Sequence, residues 1–503
     1  MSVLNRIQPT LLKLTLNHLL INNLNFNVMN RLEIEKLLEK NMKRHLSNKV
    51  LHAHPSPALW RPQFDEVTTH AKLTTNEGSR TKVNMYAGIP YCLPTNPPHC
   101  GFCLFPTENY RGKDEMEVYL SYLRKEAEMY ADFYQSSELD SLYIGGGTPN
   151  LMRPDDYHEM MSIIRMLFPT MRDDVEKTLE GIPQLFNEDK IKAISEAGFN
   201  RVSMGVQQVN DKLIKYSGRK QTRKQVFEAI DLFHKYDLSC NIDLIYAWPE
   251  QTIEEMIFDL NEIIQSGIRH ITHYELNIAG RSTFATEHKE MVPDIARKIE
   301  MYNAQKEFLE SMGYRQRTVY DWEKVDKTDY SKKDGAEQYH YENNLRDFIP
   351  MDGVPTTSVM GGIGYAAVNM RMRQFDSVYG SISAMNHKSL AHYYKDIEAG
   401  KLPVERVFNH EPEDVKLVWL FQALQEMKIN KVKYNEIFRS DLAEEFADLW
   451  AVLGDQGWIE QDNTELRLVK AGEFYVPLVQ TLISHARTTE ITKENAELLK
   501  ASL

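Results

Sequence analysis

Positive charge is in deficit in this chain. Across 503 residues, 59 Lys and Arg stand against 72 Asp and Glu, for a net charge of −13. That balance disfavours broad binding to nucleic acid or to an anionic membrane surface. Long apolar runs are also missing, and no stretch approaches the ~20 residues that span a bilayer. The N-terminal MSVLNRIQPTLLKLTLNHLLINNLNFN is interrupted by Lys13 and His18 and lacks a small-residue cleavage site. It reads as an amphipathic helix and not as an export signal. A cytoplasmic setting is therefore expected, in which thiols stay reduced. There is no repeat at a fixed solenoid period and no low-complexity tract. Cysteine occurs only four times, too few for a disulfide framework in a chain of this length.

What is present is ordinary for a globular protein: 42% apolar and 26% charged residues, in a length that suggests two or three domains. Residues 1–80 read as a helical extension and linker, with three prolines in HPSPALWRPQF (54–64) breaking any helix. From about 81 to 380, short β-rich runs alternate with helical ones. Strands are expected at 82–89, 141–147, 175–182, 200–206, 238–247 and 270–278. Helices are expected at 114–134, 154–168 and 187–198, the last with Asn187 as N-cap and Gly198 as its stop. Six successive βα units imply a parallel sheet with right-handed crossovers, an incomplete relative of the eight-stranded barrel. In such folds the chemistry sits at the C-terminal ends of the strands. MGGIGYAAV (360–368) reads as a tight glycine turn. Residues 381–503 read as a C-terminal domain, chiefly the helical stretch 405–485. It holds a helix at DVKLVWLFQALQEM and a hairpin turning at Asp462-Asn463, together like a winged helix. Residues 411–460 carry eleven acidic and five basic side chains, which disfavours phosphate attraction and hence DNA binding.

Three of the four cysteines, Cys92, Cys100 and Cys103, fall within GIPYCLPTNPPHCGFC (88–103). Three thiolates from one loop match three irons of a [4Fe–4S] cube, with the fourth iron open. They match equally a zinc knuckle completed by His99 or Cys240. YIGGGTPN (143–150) lets backbone approach a ligand, with N–H groups free for an anion, or is simply a glycine-rich turn. Glu180, Gln207, Arg219 and Asp243 stand on or just after apolar strands. They suit a ligand carrying ammonium, carboxylate and ribose groups, or an internal network such as an Arg219–Asp243 ion pair.

Taken together, YAGIPYC…CGFC, GGGTP, GFNRVSMGVQ, SGRKQ and NIDLIYAWPEQT resemble the radical S-adenosylmethionine (SAM) superfamily. More narrowly, they resemble its oxygen-independent coproporphyrinogen III oxidase-like (HemN-like) group. The resemblance is strongest over 82–280 and continues more loosely to the C-terminal tail. It implies a partial (β/α)6 radical SAM barrel, with an N-terminal helical extension and a C-terminal winged-helix-like α domain. It implies a [4Fe–4S] cluster held by Cys92, Cys100 and Cys103, and one or two SAM molecules. Tyr86 would lie near the sulfonium, as a candidate catalytic residue. Phe102 precedes the last ligand, and Gly145, Gly146 and Thr148 form the turn at the methionine amino group. Glu180, Gln207, Arg219 and Asp243 would grip the rest of SAM, Tyr274 would line the adenosine site, and Val368 would mark a second SAM site.

The implied activity is that of a radical SAM enzyme. Reductive cleavage of SAM gives a 5′-deoxyadenosyl radical, which takes hydrogen from an organic substrate. An oxidoreductase acting on a tetrapyrrole or another small molecule comes first. A two-SAM radical methyltransferase or cyclopropanase and a haem-binding chaperone share the same motifs. A one-electron donor such as flavodoxin or ferredoxin is the implied partner, with neither nucleic acid nor membrane.

The chain departs from the group in one loop. Seven residues, LPTNPPH, separate the first two cysteines, where the group usually has three. Gly88 stands where histidine is frequent, and an additional cysteine just after the cluster is absent.

Overall fold

The computed structural model describes residues 28–42, 53–75, 80–276, 278, 282–325, 356–373 and 380–501. The N-terminal amphipathic helix expected before residue 28 and most of the polar segment 320–350 lie outside these.

The helices and strands of the α/β part follow the expected alternation. They are β2 (Arg80–Ile89), α3 (Lys113–Gln135), β3 (Glu138–Gly146), α4 (Pro154–Leu167), β4 (Glu176–Gly181), α5 (Glu188–Ala197), β5 (Arg201–Gln207), α6 (Arg223–Lys235), β6 (Ser239–Tyr246), α7 (Ile253–Gln265) and β7 (His270–Glu275). Local chemistry starts the helices. Asn187 accepts the Lys190 N–H at the head of α5. Reciprocal capping boxes, Thr222 with Gln225 and Thr252 with Glu255, open α6 and α7. Strands β2 to β7 are all parallel and neighbours in sequence order, and their Val, Ile, Leu and Met residues are almost fully buried. Runs buried on both faces are what a parallel sheet covered by helices requires.

The sheet is larger than six strands. After α8 (Ile295–Ser311) come β8 (Tyr314–Gln316) and β9 (Asp321–Lys324), which extend the β7 edge antiparallel. On the other side β10 (Thr356–Gly364) pairs parallel with β2 along nine residues. The expected glycine turn at 360–368 is thus mostly a seventh parallel strand. Its glycines allow close approach: a Cβ at Gly361 would lie 2.5 Å from the Tyr134 hydroxyl oxygen. The sheet continues antiparallel through β11 (Val368–Met372), β12 (Ser381–Asn386) and β13 (Val404–His410) to β1 (Arg61–Pro62). Thirteen strands lie in the order β1-β13-β12-β11-β10-β2-β3-β4-β5-β6-β7-β9-β8, with β1 and β8 as open edges. The boundary expected after residue 380 falls inside this sheet, because β12 and β13 are paired into it. Strand β7 ends at Glu275, short of the expected 278.

The C-terminal part opens with α10 (Pro412–Gln425), following α9 (Leu390–Glu398). It continues through β14 (Lys428–Asn430), α11 (Lys431–Phe438), α12 (Ala447–Asp455), β15 (Ile459–Gln461), β16 (Glu465–Leu468) and α13 (Val476–Ala501). The expected hairpin is present: Asp462 Oδ1 accepts the N–H groups of Thr464 (2.7 Å) and Glu465 (2.9 Å). Helix α10 is buried around nearly its whole circumference, as an apolar helix must be. Its core is continuous with Met301 and Tyr302 of α8, Tyr246 of β6 and Met370 of β11, so this part packs directly onto the sheet and its helices. The N-terminal α1 (Arg31–Met42), which α2 (Glu66–Thr74) follows in the chain, buries Ile34 and Leu38 in the same core. No helix among the described residues is long and apolar enough to cross a membrane.

Candidate active site

Because β2 to β7 run in one direction, their C-terminal ends and following loops meet on one side of the sheet. The cysteine loop leaves β2 there. Tyr91–Cys92 forms a two-residue parallel pair with Glu108–Asn109, which closes the loop on itself. The end of β3 clamps the loop. Gly147 N–H donates to the Ile89 carbonyl (2.7 Å), and Thr148 N–H donates to the Tyr91 carbonyl (2.7 Å). A Cβ at Gly147 would overlap the Tyr91 carbonyl, so only glycine permits this approach. These amides are therefore committed to the cysteine loop and are not free for an anion. The Thr148 hydroxyl lies 3.3 Å from Cys92 Sγ.

The lengthened loop is tied internally. Thr95 Oγ1 donates to the Pro97 carbonyl (2.7 Å) and accepts the Cys100 N–H (3.0 Å). Thr107 Oγ1 lies 3.2 Å from Nδ1 of His99, which is exposed at the rim. Phe102 packs edge-on to Trp248, with ring centroids 5.4 Å apart, and against Phe284 at 6.1 Å.

Cys92, Cys100 and Cys103 line one cavity of about 610 Å³, together with Gly146, Thr148, Glu180, Gln207 and Arg219. A second cavity of about 430 Å³ holds Asp243 and Tyr274 and shares Phe102, Cys103, Glu180 and Gln207 with the first. Eleven of the fourteen residues singled out in the sequence as cofactor or metal contacts, Phe102 among them, thus line two adjoining cavities, which leaves Tyr86, Gly145 and Val368. Gly145 stands behind the wall: a Cβ there would meet Glu180 Oε2 at 2.8 Å, so its bareness lets Glu180 reach the strand. Tyr86 stacks on its cross-strand register partner Tyr143, 6.2 Å between centroids and 11° between planes. Val368 opens β11 and packs against the apolar group of Trp60, Met385, Phe408 and Ile491.

Charge is arranged tightly here. Burial and the nearby Asp243 push the Glu180 carboxyl up to about 8, against the Gly146 N–H that donates to it at 3.3 Å. Burial likewise raises Asp243 to about 6, opposed by hydrogen bonds from Ser203 (3.1 Å) and Asn241 (2.6 Å). Arg219 donates to the Gly205 carbonyl (2.6 Å). Its guanidinium is destabilised by burial and favoured by Cys100, Cys92, Cys103 and Asp243. The Arg219–Asp243 ion pair left open by the sequence does not form, because Asp243 is held by Ser203 and Asn241 instead. Burial pushes the Cys92 thiol up to about 11 and also raises Cys103.

The residues fit a cluster with SAM. Among the described residues no three His, Cys, Asp or Glu side chains converge closely enough for a single metal ion. The three thiols instead surround a shared space, as they must when each holds a different iron. Cys240 is no candidate fourth ligand: it is buried on β6 in the main core, away from the lining of both cavities. Glu180 lines the cavity without an ion-pair partner among the described residues, so a ligand ammonium would satisfy it.

The sequence reading missed the floor of the second cavity. Arg201 Nη2 lies 2.9 Å from His270 Nδ1, and the single Thr272 hydroxyl proton has two acceptors in reach, Asp321 Oδ1 (2.8 Å) and Asn241 Oδ1 (3.1 Å). Asn241 donates on to Ser203 Oγ (3.1 Å) and Asp243. The signal was there as polar residues at alternate positions, 201/203, 241/243 and 270/272, on three strands that are otherwise apolar. Val319, between β8 and β9, and Phe474 of the C-terminal part also line this cavity.

Residues 97–263 match the model of the radical SAM superfamily. The chain is 25% identical over 404 residues to an oxygen-independent coproporphyrinogen III oxidase of Helicobacter pylori (strain ATCC 700392 / 26695), covering 78% of this chain and 84% of that protein. It is 27% identical over 235 residues to the heme chaperone HemW of Escherichia coli (strain K12), covering 46% of this chain and 61% of the chaperone. The solved coproporphyrinogen III oxidase of Escherichia coli, described as a radical SAM enzyme, superposes with a TM-score of 0.70 at 20% identity. That match covers 86% of this chain and 96% of the other.

Proposed function

We propose, from the premise that this chain carries a radical SAM domain with homologues among the oxygen-independent coproporphyrinogen III oxidases, that it is a radical SAM oxidoreductase acting on a tetrapyrrole. One observation carries the reading: three thiols of one loop and the polar ends of β4, β5 and β6 share two adjoining cavities. When bound, a [4Fe–4S] cluster and SAM supply a carbon radical able to remove hydrogen from an unactivated carbon.

The chain's own residues then have distinct tasks. Cys92, Cys100 and Cys103 hold the cluster. Glu180 receives the ammonium of SAM. Arg219 sets a fixed positive charge beside the thiolates and balances part of their charge. Asp243, fixed by Ser203 and Asn241, presents its carboxyl to the remaining polar groups of SAM, and Gln207 contributes an amide at the junction of the cavities. Tyr86 buttresses the site through Tyr143. Phe474 and Val319 cover the second cavity and keep bulk water from it.

The test is anaerobic reconstitution with iron and sulfide, reduction by dithionite, and measurement of 5′-deoxyadenosine by mass spectrometry, with coproporphyrinogen III and haem offered in turn. A Cys92→Ala/Cys100→Ala/Cys103→Ala variant is the control. Product that requires the intact cysteines and rises with a tetrapyrrole supports the reading; a loaded cluster that cleaves no SAM with either tetrapyrrole sinks it. The similarity to a heme chaperone supports a second reading, haem carriage, but over a shorter part of the chain. A Soret shift on haem addition without SAM cleavage would favour it.

A further inference from the structure

The reading just given requires an electron to reach the cysteine loop from outside, and the surface beside that loop differs in sign from the rest of the chain. The segment DKLIKYSGRKQTRK (211–224) carries six basic residues and one acid in a protein of net charge −13. It lies directly on the cysteine loop: the Asn96 backbone packs so closely on Gly218 that a Cβ there would overlap it. Lys212, Lys215 and Lys220 are exposed, and none of the three forms an ion pair among the described residues. By contrast, Arg223 is paired with Glu262, and Lys224 with Glu228 (3.3 Å). Two of the acids close by are engaged. Asp211 accepts the Arg223 N–H (3.0 Å), and Glu250 accepts the Tyr216 hydroxyl (2.5 Å).

The loop itself reaches solvent. Pro94, Asn96, Pro98 and His99 are exposed. Leu104, next to Cys103, is 51% exposed. A lip with exposed apolar residues and a rim of unpaired positive charge is suited to a protein partner of opposite sign. Lys220 lines the cluster cavity, so the basic lip continues to the thiols.

We infer that this lip, Lys212 to Lys220 with the cysteine loop, is the docking surface for an acidic one-electron carrier protein. The inference rests on the proposed radical SAM function. The transfer moves one electron from the carrier to the cluster, oxidising the first and reducing the second. The lysines steer the encounter and take no part in the chemistry.

The test uses the full chain with its cluster reconstituted. The rate of cluster reduction is followed by loss of visible absorbance, without SAM. One arm uses an acidic flavodoxin in its fully reduced form, the other dithionite. The variants are Lys212→Glu/Lys215→Glu and Lys212→Gln/Lys215→Gln, which leave every cavity-lining residue in place. The expected result is about a tenfold slower reduction by flavodoxin for the Glu pair at low salt, a smaller loss for the Gln pair, and convergence with wild type as salt screens the charges. The dithionite rates stay equal. Equal flavodoxin rates in all three proteins overturn the proposal. So does a matching fall with dithionite, which would mean a distorted loop. So does a salt-independent loss. If flavodoxin reduces the wild-type cluster with the expected salt dependence but no SAM is then cleaved, the radical SAM function fails while the docking surface stands.

Discussion

The hydroxyl of Thr148 lies 3.3 Å from Sγ of Cys92. These residues belong to the loops after β3 and β2, and the backbone bonds from Gly147 and Thr148 to Ile89 and Tyr91 hold them together. A methyl group at 147 has no room beside the Tyr91 carbonyl. Gly147→Ala should therefore displace the loop and cost about 1–3 kcal/mol. Iron and sulfide content after reconstitution should fall well below wild type while far-UV circular dichroism stays native. Full iron loading would show that the clamp does not position the cysteines.

Cys240 gives the opposite expectation. Its thiol is buried in the core and donates a weak hydrogen bond to the Asn241 carbonyl at 3.5 Å. Cys240→Ser should leave iron content and the spectrum of the reconstituted cluster unchanged. A lost iron would place Cys240 among the ligands.

Glu180 makes SAM binding pH-dependent. In the free protein its carboxyl is raised to about 8, so at pH 7 it is largely protonated. An ammonium favours the ionised form, so binding at pH 7 should release part of a proton. Affinity should climb from pH 6.5 toward 8.5 and then level. Calorimetry in buffers of different ionisation enthalpy measures the proton. Glu180→Gln should lose about 10–100-fold in affinity, the range for a charged hydrogen bond, and should flatten the profile.

Phe474 reaches the second cavity from the C-terminal part and is almost fully buried. Phe474→Ala should open that wall. Tetrapyrrole KM is expected to rise severalfold, with more SAM consumed per product formed. Unchanged coupling would mean that substrate does not reach this wall.

Stability should respond to acid through Asp414. Burial alone would raise this carboxyl, but hydrogen bonds from His54 and from Arg487, the latter at 2.9 Å to each oxygen, hold it well below the usual range. A depressed carboxyl stabilises above its unfolded value and loses that contribution as pH falls. His54, kept neutral by burial, acts with the same sign, because the unfolded chain takes up its proton more readily below about 6.5. The gap in unfolding temperature between wild type and Asp414→Ala should therefore be steady above about pH 5 and close as the pH falls below it. Asp414→Ala, which removes the partner of His54 and Arg487 but leaves Arg487 paired with Glu490 (2.9 Å), should cost about 1–3 kcal/mol at pH 7. A gap that does not change with pH would contradict this.

The local elements were legible because their causes are local. Capping residues, apolar runs of strand length and the clustering of Cys92, Cys100 and Cys103 are written in consecutive residues, and they determined the alternating helices and strands and the chemistry at the cysteine loop. What required tertiary structure was pairing at long range. The strand at 356–364 carries Gly361, Gly362 and Gly364 in its second half, which read as a turn in sequence, whereas Gly361 answers to a close neighbour on a covering helix, Tyr134 of α3. The amides of Gly147 and Thr148 looked free for a ligand in sequence, and only the return of the loop after β2 uses them. Arg219 and Asp243 looked like partners by charge, but Ser203, Asn241 and the Gly205 carbonyl lie nearer. Sequence names the groups able to bond. Which bonds form depends on distances between strands far apart in the chain, and those are set by the packing of the whole sheet.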